Sequence, residues 1–366
     1  MELFSDKELN RVVRHFSIAE QQYRFSPLTD GFINDTFLVS EEGAPQYILQ
    51  RVNHTVFHNI SGVMNNIQRA LHLLDGQDYT KIRLVKTRSG ASYLDQGQGE
   101  PDYWRMMTYI PKSTAHSTTT NPKIAFEAGR IIVKFHDLLQ NAKTDNYVDT
   151  IPRFHDLALR KEQFDEALPS TGDTARAGAG LEADAGTDAA SAIRFAKKTF
   201  EILEKIDFGQ LPVRICHNDT KLNNILFSKE TDEALCLIDL DTLMKGHFLY
   251  DFGDAVRTIA NTAPEDEQDH SKITFEAPLF EAFVEGLATQ KSLFSSREIE
   301  TLAWGAVLMP FLHGIRALTD YLNGNVYYKV AYENQNLDRS LSLFNFTKKA
   351  LAEMDYMEEI ILRKFS

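Results

Sequence analysis

The feature that most restricts this chain is a pair of short polar turns set into otherwise apolar, strand-like sequence. The first, ICHNDTKLNNILF, carries His217, Asp219, Lys221 and Asn224. The second, EALCLIDLDTLMKG, is an apolar strand that ends in Asp239-Leu240-Asp241, fifteen residues after Asn224. Alone, the first turn is as well explained by ordinary turn chemistry, in which Asp and Asn bond their own backbone. The second changes the balance, because it delivers a carboxylate close behind the Asn. An Asp beside a hydroxyl accepts its proton as the oxygen attacks, and an Asn carbonyl with a carboxylate makes a hard-oxygen set for Mg²⁺. Lys221, between them, is in reach of a transferring phosphoryl group. The spacing from Asp219 to Asn224, with a further carboxylate downstream, is that of metal-assisted phosphoryl transfer. Asp219 is therefore the expected base, Lys221 its catalytic companion, and Asn224 and Asp239 the expected metal ligands.

A second aspartate competes for the metal role. Asp251-Phe252-Gly253 spells the metal-binding tripeptide of kinases, but it comes twenty-seven residues after Asn224 and opens a helical pattern over 252–259. Spacing decides against spelling. Asp251 is expected to be a buried carboxylate at a helix start that braces the catalytic loop, with His217 as a second structural support.

Around these turns the chain changes texture. Ser5-Asp6-Lys7-Glu8 reads as a capping box that opens a short amphipathic helix. Residues 20–53 read as a hairpin, 61–74 as a helix, and 82–85 and 103–110 as strands. Pro111 and the polar run at 113–120 form a connector. Beyond it, helical patterns start at Asn121-Pro122 and recur near 192–206, 249–260, 274–288, 296–322 and 337–364. Residues 171–190, rich in Gly, Ala, Thr and Asp, read as a surface insertion. The expected fold is thus α+β and bilobal: a small β-rich lobe over 1–111 and a larger helical lobe over 112–366.

Composition removes several classes. A net charge of −13, from 39 basic and 52 acidic residues, argues against nucleic acid as a partner. Two cysteines, Cys216 and Cys236, form no disulfide framework and fit a reducing cytosol. The start lacks a signal-peptide pattern, and the most apolar stretch, 302–312, is too short to span a bilayer. A cytoplasmic protein with no membrane partner is expected.

The segments DGFINDTFLV (30–39), YILQRVN (47–53), HNDTKLNNIL (217–226), IDLDT (238–242), DFGD (251–254) and IRALTDYL (315–322) resemble the aminoglycoside-phosphotransferase family of kinase-like enzymes, and within it the branch that phosphorylates N-acetylhexosamines. The resemblance implies ATP and Mg²⁺ in a cleft between two lobes, and it departs from the kinase pattern in two places. No G-x-G-x-x-G covers the phosphates, so beside Gly31 the loop must use the Thr29, Asn34 or Thr36 side chains and backbone amides. The usual strand lysine is replaced by Arg51, and the helix at 61–74 offers no glutamate partner, Gln68 being its nearest polar candidate. Met107 and Tyr109 fall where the hinge between lobes should meet adenine. The resemblance also implies that Arg316 and Tyr327 join Asp219 on a 2-acetamido sugar, with the anomeric hydroxyl as acceptor. An i,i+4 ion pair from Arg316 to Asp320 is the competing role for that arginine. Choline, homoserine, a thiosugar or an aminoglycoside would be alternative acceptors on the same fold. A nucleotide-binding module without catalysis would be the non-enzyme alternative.

Overall fold

The computed structural model describes residues 4–28, 33–97, 99–168 and 188–366. Thr29, Gly31 and most of the Gly/Ala-rich stretch at 171–190 lie outside the described residues. Ser5 caps α1 (Asp6–Val13), and Glu8 returns a carboxylate to the Ser5 amide, so the capping box forms as the tetrad requires. An antiparallel sheet follows, from β1 (Arg24–Leu28), β2 (Asp35–Glu41) and β3 (Ala44–Val52). After α2 (Ile60–Leu73) it is completed by β4 (Leu84–Val85), β5 (Leu94–Asp95) and β6 (Tyr103–Thr108). The strand order is β1-β2-β3-β6-β4, with β5 also paired to β6. Nothing in the sequence reading anticipated β1. Its Pro27 and lack of alternation suit an edge strand, where a missing amide costs no ladder bond.

Side chains alternate across this sheet. Phe37, Leu49, Trp104 and Met106 pack beneath Leu9, Val12 and Val13 of α1. Thr36, Gln50 and Arg105 stand opposite one another in register on the other face.

The second part is mainly helical. In chain order it holds β7 (Ser113–Thr114), α3 (Pro122–Leu139), α4 (Leu157–Ala167), α5 (Asp188–Leu203), β8 (Arg214–Cys216), β9 (Ile225–Ser228), β10 (Ala234–Leu237) and β11 (Met244–Gly246). These are followed by α6 (Phe248–Ile259), α7 (Ala277–Leu287), α8 (Ser296–Leu322), α9 (Gln335–Ala352) and α10 (Met354–Phe365). Two differences from expectation stand out. The pattern over 337–364 is two helices broken at Glu353, and α4 was not foreseen, because only Leu157 and Phe164 of its eleven residues are buried.

Two glycine crossings lock the helices. A Cβ on Gly129 would meet the Phe283 carbonyl oxygen at 2.1 Å, and one on Gly286 the Phe126 carbonyl oxygen at 2.0 Å, so α3 and α7 touch backbone to backbone. Gly253 of α6 and Gly305 of α8 do the same, with 1.9 Å from a Gly253 Cβ to the Gly305 oxygen. α8 is long and apolar enough to cross a membrane, but its most apolar window is 83% buried as the core of this helical layer.

Candidate active site

The two polar turns meet because two short antiparallel strand pairs hold them together. β8 pairs with β11, and β9 with β10, so the loop 217–224 and the loop 239–243 emerge side by side. Cross-links then stitch them. Ile238 N donates to Asn224 O (2.9 Å), Thr242 Oγ1 to His217 O (2.7 Å), and Asn218 Nδ2 to Thr242 O (3.0 Å). The His217 Nε2 lies 2.8 Å from Ile238 O, which makes the buried imidazole another tie between the loops. Asn218 and Asp239 both adopt left-handed backbone (φ 62° and 60°), a conformation costly for residues other than glycine. The dense bonding around them holds that strain.

Asp219 carries one engaged and one open carboxylate oxygen. Oδ2 accepts from Asn224 Nδ2 (2.8 Å) and pairs with Lys221 Nζ (3.1 Å), while Oδ1 accepts nothing among the described residues. Asn224 donates its amide group to Asp219, which leaves its carbonyl oxygen available as a ligand. Burial would depress the Lys221 ammonium, but Asp219 and Asp239 outweigh it and hold its pKa above the ordinary lysine value. Burial, with Asp241 and Asp219 nearby, pushes the Asp239 carboxyl up to about 6. Three carboxylates thus face two cations, Lys221 and Arg105, and a divalent cation against Asp239 and the Asn224 carbonyl would relieve that excess. The donor set fits Mg²⁺.

Asp251 stands apart. Its side chain is fully buried at the first turn of α6, where Oδ2 accepts His217 N (2.9 Å) and Oδ1 accepts Asn218 N (2.7 Å). His136 Nε2 lies 2.8 Å from Oδ2. His136, Asp251 and Cys216 do cluster closely enough to suggest a metal, but the Asp251 oxygens are already taken by two amides and an imidazole.

On the sheet side, the structure departs from the expected phosphate clamp. Arg51 aligns with Trp104 on the α1 face, bonds Asp102 Oδ1 (2.9 Å) and lies 5.3 Å from the Phe4 ring. A one-residue step in a strand changes the face. The cation that faces the catalytic loops is instead Arg105, buried and ion-paired with Asp241. Gln50 Oε1 holds the Arg105 Nε (2.9 Å) and Gln50 Nε2 donates to Thr36 Oγ1 (3.1 Å). Asn34 is engaged at both ends: Nδ2 donates to Asp241 Oδ2 (2.7 Å) and Oδ1 accepts Asn53 N (2.9 Å). The side chain that α2 sends to the loops is Asn66, donating to Leu243 O (2.9 Å), rather than Gln68. At the hinge, Tyr109 N is taken by Gln46 O (2.9 Å), whereas the Ile110 amide donates to nothing among the described residues. Met107 pairs within the sheet with Ile48 and Leu84.

The opposite wall comes from α6, α8 and residues 154–160 and 327–339. Asp254, one turn after Asp251, bonds Arg257 Nε (2.6 Å) and lies 3.2 Å from His313 Nε2. Arg257 also pairs with Glu265, which binds Arg339 (2.7 Å). Burial alone would raise the Asp254 carboxyl, but Arg257 and His313 hold it well below the usual range. Burial and Arg257 push His313 down to about 4, so this imidazole is neutral at pH 7. Above this floor the Arg316 guanidinium sits 5.1 Å from the Phe154 ring, 6.0 Å from Tyr327 and 5.9 Å from Tyr328. The competing pair with Asp320 does not form. Asp320 instead accepts Tyr327 N, Tyr328 N and Asn336 Nδ2. No carboxylate pairs with Arg316 among the described residues. Its neighbour Arg160 has a pKa lowered to about 10 by burial and by Arg316, and its Nε is buried without a partner.

Lobe arrangement, paired loops and carboxylates together have the form of a small-molecule kinase, and the phosphotransferase enzyme family matches residues 24–286, more than half of the chain. The chain belongs to this phosphotransferase family. Solved structures agree on the fold. A microcompartment-associated aminopropanol kinase is similar at 16% identity and TM-score 0.58, covering 97% of this chain and 98% of its own. An aminoglycoside phosphotransferase from Alicyclobacillus acidocaldarius aligns at 14% identity and TM-score 0.62, covering 98% and 97%. A Plasmodium vivax ethanolamine kinase aligns at 14% and 0.54, covering 92% and 89%. Sequence reasoning did not single out Arg105, Gln50, Asp241, Phe154 or Arg160, which the structure brings to these loops and to the wall around Arg316. Only Arg105, a lone charge inside the apolar strand YWRMMT, left a readable signal.

Proposed function

We propose that this phosphotransferase is a cytoplasmic kinase that moves the γ-phosphoryl group of ATP to a hydroxyl of a neutral, oxygen-rich acceptor, most specifically the anomeric hydroxyl of N-acetylglucosamine or N-acetylgalactosamine. The observation that carries this acceptor class is the wall around Arg316. An ammonium acceptor needs carboxylates or open aromatic faces. Here the rings of Phe154, Tyr327 and Tyr328 are near an arginine, with Arg160 beside it. Two guanidiniums without carboxylate partners repel an ammonium and attract the carbonyl of an acetamido group. The ethanolamine and choline kinases share the fold, and their named substrates carry the charge that this wall disfavours.

Asp219 Oδ1 would accept the proton of the attacking hydroxyl, while Lys221 and Asn224 fix Oδ2. The anomeric hydroxyl is the most acidic on a sugar, which lowers the demand on a carboxylate base. Asn224 and Asp239 would hold Mg²⁺, which supplies charge neutralisation on the phosphates. Lys221, kept cationic, is placed for the transferring oxygens. The Ile110 amide, open among the described residues, would be the hinge donor for adenine in place of Tyr109. Arg105 takes over from Arg51 as the cleft cation, with Thr36 beside it through Gln50, and Asn34 serves by fixing Asp241. Asp251 and His217 support the loop. Gly31 keeps its proposed phosphate role on sequence alone.

A coupled ADP-release screen over N-acetylhexosamines, glucose, ethanolamine, choline and aminoglycosides, with Mg²⁺, tests the reading. Phosphorus NMR should then show an acid-labile sugar 1-phosphate. Turnover confined to the amine acceptors, or an acid-stable 6-phosphate, would contradict it.

A further inference from the structure

A cavity of about 780 Å³ lies beside the catalytic loop, between residues 149–165, residues 204–213 and the junction of β11 with α6. Asn218 reaches it and Phe154 is shared with the wall around Arg316, but Asp219, Lys221, Asn224, Asp239, Arg316 and Tyr327 do not line it, so it lies behind the catalytic loop rather than at its carboxylates. Its size is that of a small-molecule site. Phe208 and Tyr250 form an aromatic wall, their ring centroids 6.1 Å apart.

The polar groups of the cavity are biased towards acceptors. Five carboxylates line it against three cations. Arg153 is neutralised by Asp156 (2.6 Å) and Lys161 by Asp165 (3.1 Å), and Lys245 is exposed at the rim. Asp149 and Glu204 are exposed at the cavity mouth, and no hydrogen bond or ion pair of their carboxylates is formed among the described residues. Burial holds His155 down to about 3 and lowers His247, so neither adds positive charge at pH 7. Independently, Asn218 is 3% exposed and its amide orientation is fixed, because Nδ2 donates to the carbonyls of Thr242 (3.0 Å) and Cys216 (3.2 Å). Its Oδ1 accepts no hydrogen bond among the described residues. It faces Gly246, where a Cβ would come within 2.9 Å of that oxygen. An acceptor left open on a nearly buried side chain, beside an aromatic wall, is met by a donor from the cavity.

We propose that this cavity is a second small-molecule site, taking an arylalkyl amine whose ring packs on Phe208 and Tyr250 and whose ammonium donates to Asn218 Oδ1 under the field of Asp149 and Glu204. The bound amine would contact the residue immediately before Asp219, which places the site behind the catalytic base.

Isothermal titration of the nucleotide-free protein with tryptamine, and with its neutral analogue tryptophol, tests this without reference to turnover. Tryptamine is expected to bind saturably at one site, and tryptophol at least tenfold more weakly. The double substitution Asp149→Asn/Glu204→Gln is expected to weaken tryptamine at least fivefold, and Ala158→Trp, on the exposed wall of α4, to abolish binding with the thermal melt preserved. Arg316→Ala, which touches the cavity only through the shared Phe154, should weaken tryptamine less than about twofold, far less than the Asp149/Glu204 pair does. Absence of saturable binding, equal affinity for the two probes, or loss of binding only in Arg316→Ala would overturn the proposal.

Discussion

Two segments of this chain, Asp239-Leu240-Asp241 and Asp251-Phe252-Gly253-Asp254, lie a dozen residues apart and offer the same kinds of side chain. The first is irregular. Asp239 takes a left-handed backbone, keeps some solvent contact and has its carboxyl pushed up to about 6. The second is regular helix, with Asp251 saturated by two amides and an imidazole and Gly253 pressed against the backbone of Gly305. Charge held in an unrelieved, strained position is available for binding; charge fully bonded in a helix is structure. The DFG spelling therefore marks a helix crossing and a brace, while the unremarkable DLD carries the carboxylate proposed to hold the metal.

The comparison can be broken first at the base and its metal partner. Asp219→Asn is expected to lower kcat by about 10²–10⁴-fold, and Asp239→Ala at least as much, both with melting temperatures close to wild type. Asp251→Ala should behave in the opposite way. It leaves two buried amides and His136 without their acceptor, so denaturant unfolding should show a loss of roughly 3–5 kcal/mol. Near-normal stability in that variant would remove Asp251 from its bracing role. Gly253→Ala is expected to cost about 1–3 kcal/mol by overpacking, because the new methyl meets a carbonyl that belongs to a helix backbone. An unchanged unfolding midpoint would mean that α6 and α8 are not held at that crossing.

The smallest effect concerns pH. A carboxyl whose folded pKa is raised above its unfolded value favours the folded state below the unfolded pKa, and this contribution is lost as pH rises through about 6. Metal-free Asp239→Asn should therefore melt at higher temperature than wild type at pH 7.5 and match it near pH 4. The gain is about 1–2 kcal/mol once residual solvent contact is discounted. Saturating Mg²⁺ and ATP should cancel the difference by stabilising only the wild type. A gap that persists at pH 4 would mean the stabilisation is not electrostatic.

Much of this was legible in the sequence because it is local. The capping box at Ser5, the Asn121-Pro122 helix start and the two polar turns each depend on residues within a few positions of one another. What was not legible depends on register and on distant partners. Arg51 and Arg105 are both single charges in strands, and only the pairing of Gln50 with Arg105 shows which one faces the loops. The aromatic surround of Arg316 gathers Phe154 and Tyr328 from segments more than 150 residues apart, with no pattern to announce it. α4 carried too few apolar residues for its period to register.

The central claim is that Asp239, and not Asp251, holds the metal. Electron paramagnetic resonance of Mn²⁺ with ATP, on wild type, Asp239→Asn and Asp251→Asn, tests it most directly. Tight, nucleotide-dependent Mn²⁺ binding in wild type and Asp251→Asn, lost in Asp239→Asn, is the predicted result. Retention in Asp239→Asn with loss in a folded Asp251→Asn would contradict it.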